Sequence, residues 1–207
     1  LGSGSACRSL KGKLVLWGEL ENIAGSSNLY GSDLSHLLHA DFREYQDVIL
    51  LVDKGEKAVS SSLGHELMNN HPFAEARFRM AQYNCIKLME VLKSGDIDAF
   101  VELCEAEALT LHALMMSSSP GYVLMKPNTL SIINAVRLFR HETKLPVCFT
   151  LDAGANVHLL FPISIQSKVL EFINNQLVCY CQNQSYICDS VGDGASKCLI
   201  TSNSSKY

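Results

Sequence analysis

Two groups of apolar strand-like runs are separated by a long helical stretch, and that spacing limits the chain to few folds. Val48-Ile49-Leu50-Leu51-Val52-Asp53 reads as a buried strand ending at the Lys54-Gly55 turn. The next such runs are Val147-Cys148-Phe149-Thr150-Leu151 and Asn156 to Phe161, joined by Asp152-Ala153-Gly154-Ala155. Between them lie three helical patterns. Phe78, Ala81, Cys85, Leu88, Met89 and Leu92 share one helical face, which Gly95 and Asp96 end. Phe100, Cys104, Leu111 and Met115 mark a second face, with Glu102, Glu105 and Glu107 expected toward solvent. A third helix from about Thr129 buries Ile132, Val136 and Phe139, and a later one carries Ile165, Val169, Phe172 and Ile173. Strands this far apart pair by long crossovers. The expected class is α+β, with an antiparallel or mixed sheet and helices packed on one face.

Smaller signals complete the outline. Leu14 to Trp17 reads as a short strand, followed by a Gly/Ser/Asn/Asp-rich excursion from Gly18 to Asp33. Ser60-Ser61-Ser62 precedes a short helix through Met68, and residues 201–207 are expected to fray.

The 207 residues are 47% apolar, enough for a real core. Seventeen basic and twenty-one acidic residues, with no basic block, give no support for a nucleic-acid surface. No apolar run approaches the roughly 20 residues that span a bilayer, and no secretory leader is visible. Eight dispersed cysteines fit free thiols in a reducing cytoplasm, the expected location, better than a disulfide scaffold. Cys179, Cys181, Cys188 and Cys198 cluster without the paired spacing of a zinc knuckle. His65, His112 and His158 likewise lack a recognised ligand spacing, so no protein-held metal is expected.

Anion chemistry is the stronger signal. Gly2-Ser3-Gly4-Ser5-Ala6-Cys7-Arg8-Ser9 is a small-residue turn running into a helical pattern. Successive N–H groups, two hydroxyls and the planar donors of Arg8 suit a phosphate or carboxylate. A flexible Gly/Ser linker has the same composition. Ser60 to Ser62 with Gly64 offers hydroxyls for a phosphate, or for capping a helix. Ser117-Ser118-Ser119-Pro120 carries the same ambiguity, and Lys126 is either an anion partner or a surface lysine. Asp152 follows an apolar strand and precedes a turn of small residues that leaves room for a ligand. Such a carboxylate serves as a base toward a phosphoryl acceptor, or caps its own turn.

Taken in order, these segments resemble the mevalonate diphosphate decarboxylases of the GHMP kinase superfamily. Gly2 to Ser9 is similar to their phosphate loop. Val59-Ser60-Ser61-Ser62 with Gly64, Met116 to Pro120 and Thr150-Leu151-Asp152-Ala153-Gly154-Ala155-Asn156 are similar to later segments. Ala155 stands where proline is commoner in the family. The resemblance implies a GHMP-kinase-like fold lacking its N-terminal part. Residues 1–47 would be the remainder of the N-terminal domain, and 48–200 the C-terminal domain. It further implies ATP-dependent conversion of mevalonate 5-diphosphate to isopentenyl diphosphate, with ADP, phosphate and CO2 released. Mg2+ would accompany the ATP. Asp152 and Arg8 would be catalytic, with Ser5, Arg8 and Ser61 on substrate and Ser3, Gly4 and Ser5 on the nucleotide. A nearby Arg8 would favour the charged form of Asp152. The implied partners are the preceding segment of the enzyme, without which this chain is expected to be inactive, and a second copy in a homodimer. Two other readings remain: a kinase of the superfamily that stops after phosphorylation, and an inactive oligomerisation or regulatory domain.

Overall fold

The computed structural model describes residues 11–20, 23–55, 68 and 70–195. They fall into two compact units, the larger being Leu38–Val191 and the smaller belonging to Leu1–Leu37 and Gly192–Tyr207. The smaller unit contains a hairpin of β1 (Val15–Gly18) and β2 (Ser27–Asp33), paired antiparallel from Val15↔Asp33 to Gly18↔Ser27. The expected irregular stretch from Gly18 to Asp33 therefore holds a strand. Leu29 and Tyr30 on β2 are exposed, so no apolar alternation marks it. The connection is tied by Ser26, whose hydroxyl accepts from the Leu20 N–H and donates to the Leu20 carbonyl.

In the larger unit, β3 (Tyr45–Leu50), β4 (Cys148–Thr150), β5 (Val157–Pro162) and β6 (Tyr186–Ser190) form one antiparallel sheet in the order β4-β5-β3-β6. The β3 ladder ends three residues before the expected Asp53. Beyond it, Leu51 donates to the Ser185 carbonyl and the Asp53 N–H turns to the Asn156 side chain. β6 carries mostly exposed residues, and nothing in its pattern announces an edge strand.

The helix α1 (Ala74–Ser94) packs against α2 (Ile97–Met116), and α2, α3 (Pro127–Thr143) and α4 (Gln166–Phe172) pack with this sheet. Val48 and Leu50 of β3 share a core with Phe149, Val157, Leu159 and Phe161, under Ile132 and Val136 of α3 and Val169 of α4. Burying a side chain of this size stabilises by roughly 1.5–3 kcal/mol each. The half-buried Phe139 stacks on Phe172 at 4.1 Å. Where α1 meets α2, Gly95 takes a left-handed φ of 83° and donates to the Val91 carbonyl. Asp96 then caps α2 by accepting from the Ala99 N–H at 3.0 Å. No helix among the described residues is long and apolar enough to cross a membrane.

Two helix faces depart from the expected ones. Phe78 of α1 is 53% exposed, because a stripe of apolar residues specifies a face but not its cover; the buried residues of α1 are Ala74 at its start and Val91 and Leu92 at its end. On α2 Phe100 is buried as expected, but the rest of the buried face runs through Val101, Leu103, Ala108, His112 and Leu114 in place of Cys104, Leu111 and Met115. It includes Glu105, expected in solvent but only 6% exposed. Arg140 grips its carboxylate with both terminal nitrogens, at 2.6 and 3.1 Å, and Arg137 adds a third contact at 3.4 Å. Glu107 is also drawn in, accepting from Arg77 and Asn84 at 2.6 Å each. A carboxylate is tolerated inside when arginine forks supply its hydrogen bonds.

Candidate active site

Asp152 lies just past the end of β4, on a turn whose backbone is fixed from two helices. Its carbonyl accepts from the Gly154 N–H at 2.8 Å and from His112 Nε2 at 3.1 Å. His112 is 1% exposed, and burial pushes its pKa below the ordinary value. A neutral ring facing a carbonyl must carry its proton on Nε2, so His112 is a satisfied interior donor. On the other side, the fully buried Thr129 donates from Oγ1 to the Ala155 carbonyl at 2.6 Å. The same hydroxyl accepts from the Lys126 N–H at 3.1 Å, joining the start of α3 to the turn. The Asp152 side chain itself is exposed.

That side chain borders a groove of about 330 Å3, shared with Asp53, Lys126 and Asn156 and walled by Val123 and Leu124. The Asn156 carboxamide is oriented by accepting from the Asp53 N–H at 3.0 Å. Gln182 holds the neighbouring Lys54 N–H at 2.7 Å. Asp53 accepts from the Gly55 N–H and pairs with Lys126 Nζ at 2.5 Å. The Lys126 hydrogen bond, helped by the Gly55 N–H, holds the Asp53 carboxyl below its usual range. Lys126 is thus a surface lysine by exposure and an ion-pair partner in the groove, its anion being Asp53 of the same chain. Asp53 and Asn156 escaped the sequence reading as site residues. The signals were a carboxylate at a strand end and an amide closing the Asp152 turn.

Of the expected site residues, the structure places Asp152. Ser3, Gly4, Ser5, Arg8 and Ser61 lie outside the described residues, as do His65, Cys198 and the 201–207 tail. Ser117 and Ser118 turn their hydroxyls onto the Ala113 and Met115 carbonyls at 2.8 Å each, the capping alternative for that segment. Cys179, Cys181 and Cys188 are free thiols. Among the described residues no group of three or more His, Cys, Asp or Glu side chains gathers to hold a metal ion.

His158 on β5 donates from Nδ1 to Asp47 at 2.9 Å. That bond raises its pKa above the ordinary value against the opposing effect of burial. A raised histidine contributes stability below about pH 6.5 and loses it as pH rises through the folded value. The Asp47→Asn variant should therefore melt below the parent at pH 6 and approach it at pH 9. A melting difference that does not change with pH would contradict the pairing.

Residues 47–204 match the mevalonate 5-diphosphate decarboxylase C-terminal domain family. A phosphomevalonate decarboxylase of Haloferax volcanii is 36% identical over 94 residues, 45% of this chain and 29% of its own length. A mevalonate pyrophosphate decarboxylase structure from Streptococcus pyogenes superposes with a TM-score of 0.77 at 20% identity, over 94% of this chain and 56% of that one. The structure of MDDEF in complex with MVAPP, AMPPCP and magnesium gives a TM-score of 0.76 at 23% identity, over 93% of this chain and 56% of that one. The chain spans less than half the length of the curated relatives it matches.

Proposed function

We propose that this chain, which belongs to the mevalonate 5-diphosphate decarboxylase family through its C-terminal domain, supplies the catalytic base of an ATP-dependent decarboxylase. The supporting observation is Asp152: an exposed carboxylate beside a cation, on a turn whose backbone His112 and Thr129 hold rigidly. A base must be positioned before its basicity is useful. Here Asp152 orients the 3-hydroxyl of mevalonate 5-diphosphate and takes its proton as the γ-phosphoryl group of ATP is transferred. The tertiary phosphate then leaves with its bonding electrons. The bond to the carboxylate breaks, its electrons form the alkene of isopentenyl diphosphate, and CO2 departs. Phosphorylation is needed because hydroxide leaves poorly and phosphate leaves well.

Arg8 holds the substrate carboxylate or diphosphate through its fork, Ser5 and Ser61 bind the diphosphate, and Ser3, Gly4 and Ser5 bind the nucleotide phosphates. Mg2+ bound with the nucleotide would neutralise phosphate charge while keeping much of its water. The groove carboxylates fit that arrangement because they can meet hydrated magnesium without forming a cage. Residues 1–47 act as the remainder of the N-terminal domain and 48–200 as the C-terminal domain, completed by the preceding segment of the enzyme. The enzyme works in the cytoplasm as a homodimer. A superfamily kinase and an inactive regulatory domain use the same fold without the elimination, so the products decide between them.

The likeness to a phosphomevalonate decarboxylase favours a second reading of the substrate, mevalonate 5-phosphate. Measuring ADP release by the intact enzyme with each compound separates the two. The diphosphate should give the higher kcat/KM, and a preference for the monophosphate would overturn this substrate assignment.

A further inference from the structure

We propose that Lys126 is a phosphoryl-oxyanion ligand of the Asp152 groove, exchanging Asp53 for the phosphate, with the Asn156 amide as a second donor. The proposal rests on reading the groove as a phosphoryl-transfer site, and it names the group that receives the anion there. Among the described residues lining the groove, Lys126 is the one lysine or arginine, against Asp53 and Asp152. An anion beside Asp152 must be compensated locally, and Lys126 is the side chain placed to do it.

Its backbone and side chain are restrained very differently. The Lys126 N–H is tied to the buried Thr129, while its side chain is 54% exposed and its ammonium pairs with Asp53. The four-carbon stem lets Nζ swing through the groove without moving the start of α3. A half-exposed ion pair is weak in water, whereas a phosphate brings more charge and more acceptors to the same ammonium. Asp53 loses little when released, because the Gly55 N–H remains on its Oδ1. Asn156 already accepts the Asp53 N–H through Oδ1, which leaves its Nδ2 protons as the donors of a carboxamide lining the groove.

The test is titration calorimetry of the intact enzyme with inorganic pyrophosphate, which needs no turnover. Lys126→Met should weaken binding by about tenfold or more, the loss of a charged hydrogen bond. Lys126→Arg keeps the charge and should retain most of the affinity. Asp53→Asn keeps the acceptor for Gly55 but removes the competing charge, and should tighten binding by about threefold. The opposite signs distinguish an anion ligand from a structural clasp. Binding by Lys126→Met within about twofold of the parent, or weaker binding by Asp53→Asn, would overturn the proposal. Should Lys126→Met fail to fold, as judged by circular dichroism, the direction of the Asp53→Asn change decides. These outcomes are separate from the proposed reaction: an enzyme that binds pyrophosphate in this way yet releases no CO2 refutes the decarboxylase reading and leaves the Lys126 site intact.

Discussion

Replacing Asp152 with asparagine in the intact enzyme is expected to lower kcat by at least about 10²-fold, the usual contribution of a general base, with a smaller change in KM. Asparagine matches aspartate in size, and the Asp152 carbonyl keeps its hydrogen bonds from His112 Nε2 and the Gly154 N–H in the variant. The fold around the groove should therefore survive, as a melting temperature close to the parent's would show. Charge and basicity are what the variant removes. Near-normal turnover would refute the role of Asp152. An equal fall in stability and activity would identify it as a structural cap of its turn.

The largest expected effect on stability comes from Glu105→Ala. Removing one partner of a buried ion pair leaves the other charge without compensation, at a cost of about 3–5 kcal/mol. The lower end applies here, because Arg140 is 25% exposed and keeps its 2.7 Å hydrogen bond to the Val147 carbonyl. Urea denaturation should show a loss of about 3 kcal/mol, or a drop of roughly 6–12 °C in Tm for a chain of this size. Glu105→Gln should fall between, keeping an acceptor while losing the charge. A loss below about 1 kcal/mol for the alanine variant would place the pair among weakly contributing surface bridges.

What the chain discloses in advance follows the range of the forces involved. The β3 run, the Gly95–Asp96 junction and the Asp152 turn are local patterns, and each appears near where its residues place it. Cap chemistry and apolar periodicity act over a few residues, so they can be read directly. Glu105 shows the limit. Its partner Arg140 lies 35 residues away, and only packing of α2 against α3 turns a presumed surface carboxylate into an interior one. Lys126 and Asp53 are likewise united by tertiary structure, which is why the groove's ion pair was not legible. β2 and β6 were missed because their ladders are made by backbone hydrogen bonds under largely exposed side chains. Asp152 was legible because a strand end, a carboxylate and small residues are adjacent in the chain. Asn156 belongs to the same turn, yet its part in holding Asp53 depends on a contact across 103 residues.

The central claim is that this family fold carries out phosphorylation followed by elimination. Incubating the intact enzyme with ATP, Mg2+ and mevalonate 5-diphosphate labelled in its carboxyl carbon tests it most directly. The account predicts labelled CO2 released in step with ADP, and its near-complete loss in Asp152→Asn. ADP formed without labelled CO2 would contradict it and identify a kinase that stops at the phosphorylated intermediate.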